Sequence, residues 1–247
     1  MKKIIAVFAL LFMVGFAIKA QDATATKAAP GCCSDLKIGI SANAGMAMSD
    51  FSSLNTRLQV NGMRRVPSSH VLGTTLLWVQ TGRLRYALEV GSGKKTILFP
   101  QDTLNRMNLN HRLIGLQVGY VVLKDERFDV TLFGGLTDHR VRVEYLESPE
   151  QDVAFEDYLS KKQKAVVLNH NISTARLGVA CDYYFTISNS SSSLNLPLTC
   201  GLAANVGMPL TRGTWNYDAD YEIRDALKVN PMLWSLSARV GLLLKAK

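Results

Sequence analysis

Three of the four histidines would form a metal site if the fold brought them together. His111, His139 and His170 lie near the ends of stretches in which polar and apolar residues alternate. Neutral imidazole is a common ligand of zinc and other borderline metals, with a nitrogen-to-zinc distance of about 2.0–2.1 Å. The alternative, that these side chains hydrogen-bond only to water or loop backbone, is favoured because histidines are common at strand ends.

Cys181 and Cys200 are a second candidate pair. If the turn between their strands is centred on residues 190–191, the two cysteines lie directly opposite each other, with both side chains on the apolar face. Opposed Cβ atoms of an antiparallel pair are about 4.5–5.5 Å apart, somewhat beyond the preferred disulfide spacing of about 3.8 Å. A disulfide and two free thiols both remain open, because a free cysteine also serves as a small hydrophobe.

The sequence carries no recognisable catalytic motif. It lacks Cys-x-x-Cys, His-Glu-x-x-His and Gly-x-Ser-x-Gly, and the run GSGKKT at 91–96 does not have the spacing of a phosphate loop. We therefore predict no catalytic residues and no cofactor, and favour a protein that is not an enzyme. Three aromatic residues in the last long loop are instead candidates for binding a ligand or partner: Trp215, Tyr217 and Tyr221.

The elements that must position these residues are β-strands. In the stretch LKIGISANAGMAM at 36–48, one parity is apolar and the other is small or polar over thirteen residues. This period of two predicts a strand with one apolar face. Strands of soluble proteins usually have about 5–6 residues, whereas about 9–11 are needed to cross a bilayer at a tilt.

Similar stretches recur along the chain and predict eight strands. The connections near 81–82, 124–126 and 188–193 are short, whereas those at 49–69, 98–109, 146–167 and 208–230 are long. Short turns at one end and long loops at the other are typical of an up-and-down membrane barrel. The predicted strands are 35–48, 70–80, 83–97, 110–123, 128–144, 168–187, 194–207 and 231–245.

The start of the chain predicts export. Lys2 and Lys3 precede an apolar run of fifteen residues from Ile4 to Ile18, and Ala20 is small, so residues 1–20 are predicted to be a cleaved signal peptide. Residues 21–34 are predicted to be a flexible periplasmic leader, and residues 35–247 the barrel domain. The net charge of +8 includes no long Lys/Arg run, so nucleic acid is not expected as a partner.

The polar and aromatic residues favour a membrane barrel over a soluble one. The polar parity is rich in glycine, serine and asparagine, which suits a narrow lumen better than a surface washed by water. Aromatic residues flank the short turns, as an interfacial girdle requires: Trp78, Tyr86, Tyr120, Phe128, Tyr183 and Phe185. Charged residues of the polar parity are predicted to fill the lumen: Lys37, Arg85, Glu89, Arg176, Asp182 and Arg239.

The predicted register bears on the histidines. With Val122 opposite Phe128, His111 lies directly opposite His139 on the lumen face near the outer mouth, and His170 falls on the same face of the next strand. A bulge at Asp138–Arg140 would reverse this orientation, because apolar residues change parity just beyond it.

The strand pattern, for example LIGLQVGYVVLKDERFDVTLFGGL at 113–136, resembles that of the small outer-membrane β-barrel family, which includes OmpX and the OmpA transmembrane domain. The resemblance implies an all-β, eight-stranded antiparallel transmembrane barrel in the outer membrane. It further implies contact with outer-membrane lipid, a lumen filled by side chains and loops that stabilise the envelope or bind an extracellular or envelope partner. Two alternatives remain: a lipid-modifying outer-membrane enzyme, and a soluble periplasmic carrier similar to lipocalins.

Overall fold

Eight long antiparallel strands form where the sequence alternates. The computed structural model describes residues 36–60, 64–98, 105–147, 165–188, 195–211, 213–217, 221–222 and 229–245. The predicted signal peptide and leader lie outside these residues. The long strands are β1 (Leu36–Asp50), β2 (Ser69–Thr81), β3 (Leu84–Leu98), β4 (Asn105–Lys124), β5 (Phe128–Glu147), β6 (Ala165–Ser188), β7 (Asn195–Pro209) and β10 (Asn230–Lys245).

The eight long strands close into a barrel. The sheet order within the described residues is β5-β4-β3-β2-β1-β10-β7-β6, and β6 also pairs with β5. Each of these pairings is antiparallel. The predicted eight-stranded up-and-down barrel is therefore confirmed. None of the helices in the described part of the chain is long and apolar enough to cross a membrane.

Three short elements lie in connections that were predicted only as long loops. Helix α1 (Ser52–Val60) follows β1, and the backbone N–H of Ser52 donates to Asp50 Oδ1 over 3.0 Å at its start. Strands β8 (Thr214–Tyr217) and β9 (Tyr221–Glu222) form an antiparallel pair, and β8 joins the edge of β6. All three elements lie at the end of the barrel opposite the start of β1 and the end of β10, which is the outer end in this fold.

Two hairpins have a register that differs from the prediction by two residues. In β4 and β5 a bulge between Val121 and Leu123 shifts the pairing, so that His111 pairs with Val141 rather than with His139. No register shift occurs at 138–140, where we had considered a bulge. The direct opposition of His111 and His139 is therefore wrong, although both side chains still face the interior.

The β6–β7 hairpin is also shifted. Ser188 pairs with Asn195, so the turn is centred one residue later than predicted. Cys200 pairs with Tyr183 and Cys181 with Leu202, and the predicted direct opposition of the two cysteines is therefore wrong. Both thiols are free and only partly buried.

A close backbone approach explains one glycine of β1. Trp78 was predicted to belong to the interfacial girdle near the short turns, but its side chain is buried inside the barrel, facing Gly39 across the β1–β2 pair. A Cβ atom on residue 39 would lie 2.3 Å from the Trp78 ring. Glycine at position 39 is therefore what allows an indole ring to fit inside the barrel wall.

Candidate functional site in the barrel interior and at its outer mouth

Arg85 is the centre of an ionic layer near the periplasmic end of the interior. Its guanidinium donates to Asp182 Oδ2 over 2.5 Å and to the hydroxyl of Tyr184 over 2.9 Å. It also lies 3.4 Å from Asp129 Oδ2, which accepts a 2.7 Å hydrogen bond from Tyr184. Since Arg85, Asp129 and Asp182 are almost inaccessible to water, these bonds replace the hydration that the charges lose.

Further side chains complete this layer. Lys37 Nζ lies 3.6 Å from Asp129, and Arg239 donates to Asp182 over 3.3 Å. The side-chain oxygen of Gln80 accepts hydrogen bonds from Arg85, and the guanidinium lies over the Trp78 ring, 4.6 Å from its centroid. Three cationic and two anionic side chains thus form one layer. Asp129 was absent from the residues that we predicted to fill the lumen.

A second ionic layer lies closer to the outer end. The Arg176 guanidinium donates to Glu89, and the same carboxylate accepts a 2.7 Å hydrogen bond from Gln117. Between the two layers, the space lined by Arg85, Gln117 and Arg239 among others is about 10 Å³. A cavity needs at least about 10–15 Å³ to hold one water molecule. The space between these residues is therefore at the lower limit of what one water molecule needs.

A chain of three histidines crosses the interior next to the second layer. His70 Nε2 lies 2.7 Å from His111 Nδ1, and His111 Nε2 lies 2.8 Å from His139 Nδ1. His139 Nε2 lies 2.9 Å from the hydroxyl of Thr174. Each of these side chains is at most 4 % exposed. His70 was not predicted, although its parity in β2 is the one that faces the interior.

Glycine 93 makes this histidine chain possible. Gly93 lies on β3, between β2, which carries His70, and β4, which carries His111. Its cross-strand partner on β4 is His111. A Cβ atom at position 93 would lie 3.2 Å from His70 Cδ2 and 2.4 Å from the carbonyl oxygen of Val71. The run GSGKKT, which superficially resembled a phosphate loop, thus contains a glycine that lets two imidazoles meet across a strand.

If the three rings are neutral, their hydrogen bonds require one common tautomer. Each histidine-to-histidine bond needs one N–H donor and one bare nitrogen acceptor, so the tautomer of one ring determines that of the next. His70 Nδ1 has no partner within the described residues and is buried. An unpaired acceptor is tolerated better than an unpaired donor, which favours protons on Nε2 in all three rings.

The predicted grouping of three metal-ligating histidines is different in the structure. His111 and His139 meet, but the His170 ring lies against Trp215, with 4.5 Å between ring centroids. Within the described residues, no three or more His, Cys, Asp or Glu side chains are arranged to hold a metal ion. Metal binding by His111, His139 and His170 stays a prediction.

An apolar cluster of buried side chains lies on the outer side of the histidines, and we call it the cap. Helix α1 contributes Leu54 and Leu58, and Trp215 of β8 is only 2 % exposed within it. Apolar side chains from three barrel strands point inward to meet these residues. The buried members of the cap are Phe51, Leu54, Leu58, Val66, Met107, Leu109, Val141, Val143, Leu168, Trp215 and Val229.

Polar contacts hold the cap in place. The Asn55 side chain donates to the Val66 carbonyl over 3.0 Å and accepts from the Val66 N–H over 2.7 Å. The Tyr145 hydroxyl donates to the Arg64 carbonyl over 2.7 Å, and burial raises the pKa of this phenol above its ordinary value. Segment 64–66 is thereby attached both to helix α1 and to the barrel wall.

The outward side chains divide the barrel into two parts. Along the periplasmic part of the strands they are apolar, and the side chains of Leu132, Leu177 and Leu202 are each more than half exposed. On β4 this apolar band extends from Ile114 to Val122, nine residues, which matches the length of a membrane-crossing strand. The interior behind it holds the ionic layers, so the polarity is the reverse of that of a soluble barrel. The chain is an integral outer-membrane β-barrel protein.

Beyond the band the polarity of the barrel wall reverses. On β5 the outward residues are Asp138, Arg140, Arg142 and Glu144, while Val141 and Val143 point inward to the cap. The histidine chain lies at this transition. The girdle near the short turns includes exposed Tyr120 and Tyr183, as predicted from the sequence.

The fold of the barrel is similar to that of several solved outer-membrane proteins. Neisserial surface protein A shares 15 % identity with a TM-score of 0.43, covering 85 % of this chain and 97 % of that one. Ail of Yersinia pestis, solved with the heparin analogue sucrose octasulfate, shares 7 % identity with a TM-score of 0.47, covering 85 % and 99 %. A major outer membrane protein from Thermus thermophilus shares 12 % identity with a TM-score of 0.47, covering 84 % and 98 %.

These similarities concern the overall fold alone, because the identities are low. No protein-family model and no curated protein matches the sequence. The residues of the barrel interior therefore have to be interpreted from their own contacts.

The three aromatic candidates of the last loop have different positions. Trp215 is buried in the cap, so it is not displayed at the surface as a partner-binding residue would be. The backbones of Tyr217 and Tyr221 pair directly with each other in the β8–β9 hairpin. This hairpin extends the outer end of the barrel beyond β6.

Replacing Arg85 by methionine should strongly destabilise the barrel. The change leaves Asp129 and Asp182 buried without their shared cation, which typically costs about 3–5 kcal/mol of the free energy of unfolding. The matched control is Arg142→Met, because Arg142 forms a 2.6 Å ion pair with Glu144 but is about half exposed on the outer wall. An exposed pair contributes about 0–1 kcal/mol. Urea unfolding in phospholipid vesicles measures both, and equal losses would contradict the central role of Arg85.

The imidazole nitrogens of His70, His111 and His139 should all show the same neutral tautomer at pH 7. We expect a proton on Nε2 and a bare Nδ1 in each ring, because the two hydrogen bonds between the rings couple their tautomers. Nitrogen-15 NMR of the refolded barrel, with single His→Asn variants to assign the signals, measures this directly. Mixed tautomers among neutral rings would show that the hydrogen-bonded chain is absent, and a charged ring at pH 7 would contradict the predicted neutral state.

Proposed function

We propose that the protein is a closed, non-enzymatic barrel of the outer membrane that anchors an outer binding surface. The observation that supports closure is the pair of ionic layers, in which Arg85 and Arg176 each bridge to carboxylates on other strands. The space between the two layers, about 10 Å³, is at the lower limit of what one water molecule needs. The cap adds an apolar barrier at the outer mouth.

The contacts of the histidines weigh against the lipid-modifying alternative. A lipid-modifying enzyme would need a histidine paired with a nucleophile or carboxylate that a substrate can reach. The hydroxyl of Thr174 contacts His139, and both Thr174 and His139 are buried beneath the cap. A lipid in the outer leaflet has no access to this pair.

The distribution of polar and apolar side chains in this barrel is the opposite of the one that a soluble carrier needs. A soluble carrier of apolar ligands keeps an apolar cavity inside and a polar surface outside. This barrel has Arg85, Glu89 and Arg176 inside its membrane-facing part and leucines outside. The carrier would therefore expose apolar surface to water and bury charge around its ligand.

The outer end supplies the binding surface in this proposal. The β8–β9 hairpin carries Tyr217 and Tyr221, and Trp215 packs in the cap at its base. A hairpin anchored by a buried tryptophan is held in a defined position, which lowers the entropic cost of binding a partner. The two tyrosines remain the proposed partner-facing residues.

Bilayer conductance tests closure most directly. We expect the purified barrel to give no steady conductance at neutral pH, in bilayers where a general diffusion porin gives large steps. Stable open channels in the wild type would overturn the closed barrel. Release of fatty acid from phosphatidylethanolamine vesicles, abolished by His139→Ala, would overturn the non-enzymatic part of the proposal.

A further inference from the structure

We propose that the outward face of β2 to β6, at the edge of the apolar band nearer the outer end, binds the phosphate of a membrane-lipid headgroup. A groove of about 980 Å³ runs along the outward surface of these strands, and we call it the headgroup groove. Its outward-facing lining includes Ser92, Arg112, Asp138, Arg140, Asn171 and Ser173. The inference does not depend on whether the barrel interior is closed.

The groove contains an unfavourable arrangement of like charges. Arg112 and Arg140 are direct cross-strand partners on β4 and β5, and both side chains are exposed on the outer wall. Like charges directly opposite each other destabilise an antiparallel pair. Within the described residues, neither arginine has an ion pair. An anion bound between the two guanidinium groups would remove this repulsion.

The neighbouring groups leave the arginines available to an anion. Arg140 donates its Nε to Asn171 over 3.2 Å, which orients the guanidinium and leaves its two terminal nitrogens to bind. Asp138 is two residues before Arg140 on β5, on the periplasmic side of it, and its Oδ1 accepts a 2.6 Å hydrogen bond from Ser173. Arg142 is two residues after Arg140 on β5, toward the outer end, and already forms an ion pair with Glu144.

The depth of the groove favours a lipid over a free anion. Ile114 and Val90 are outward residues of the apolar band and form the lower border of the groove. Acyl chains that contact these residues would place their headgroup at the level of Arg112 and Arg140. Guanidinium binds phosphate through two parallel hydrogen bonds, so two opposed arginines suit a phosphate group.

The floor of the groove is shallow enough for a headgroup because its outward side chains are small. Gly73 and Ser92 form one cross-strand pair, and Thr75 lies next to Val90 in the adjacent row. A large side chain at any of these positions would fill the groove without changing its charge. Position 92 therefore offers a steric test that is independent of the arginines.

Lipid binding by the full chain, refolded in a phosphate-free maltoside detergent, tests the proposal. The probes are phosphatidic acid, diacylglycerol with the same acyl chains, and inorganic phosphate. We expect the wild type to bind phosphatidic acid far more tightly than the other two probes. Arg112→Gln with Arg140→Gln should weaken this binding by about tenfold or more, because charged hydrogen bonds are lost. Ser92→Trp should weaken it as well.

The matched control carries the same charge change at the other rim. Arg83 and Arg127 are exposed beside the short turns, so Arg83→Gln with Arg127→Gln should leave the binding within about twofold. An equal loss in this control would show a net-charge effect and overturn the site. Unchanged binding by the Arg112/Arg140 variant or by Ser92→Trp, or equally tight binding of diacylglycerol or inorganic phosphate, would overturn it too. Heat-modifiable mobility on gels verifies that each variant is folded.

Discussion

The contact between the Arg85 guanidinium and two buried carboxylates is the constraint on which the barrel interior depends. A membrane-embedded wall cannot supply water to the charges behind it, so each of them needs a partner within the lumen. Asp129 on β5 and Asp182 on β6 reach Arg85 on β3 across the interior. The bonds therefore join strands that are not neighbours in the barrel, in addition to the backbone ladder that joins neighbouring strands.

The reversal of polarity beyond the apolar band follows from the same constraint. Outside the membrane, the wall faces water and its outward residues become charged, as at Arg140 and Arg142. The inward residues can then be apolar, and Val141 and Val143 belong to the cap together with Leu54 and Leu58 of helix α1. Burial of each large apolar side chain contributes about 1.5–3 kcal/mol, so the cap can stabilise the outer end without ion pairs. The neutral histidine chain lies between the charged and the apolar parts.

The alternation of polar and apolar residues was sufficient to predict where the strands lie, because the membrane requires one apolar face along their length. It could not fix the register, which depended on a bulge at Val122 that no residue type marks. The cap was missed because Val141 and Val143 were interpreted as evidence of a bulge, although an apolar interior explains them equally well. Phe51, Leu54 and Leu58 have helical spacing and could have revealed α1. The histidine contacts depend on packing across three strands and were beyond prediction from spacing.

The environment of single cysteines on β5 tests the change of polarity along the barrel most directly. Native cysteines are first replaced by serine, and spin labels are then attached at positions 132, 136 and 140 of the barrel in vesicles. The structure predicts that labels at 132 and 136 collide with oxygen dissolved in lipid, whereas the label at 140 collides with a water-soluble nickel complex. Water exposure at Leu132, or lipid exposure at Arg140, would contradict this account of the barrel.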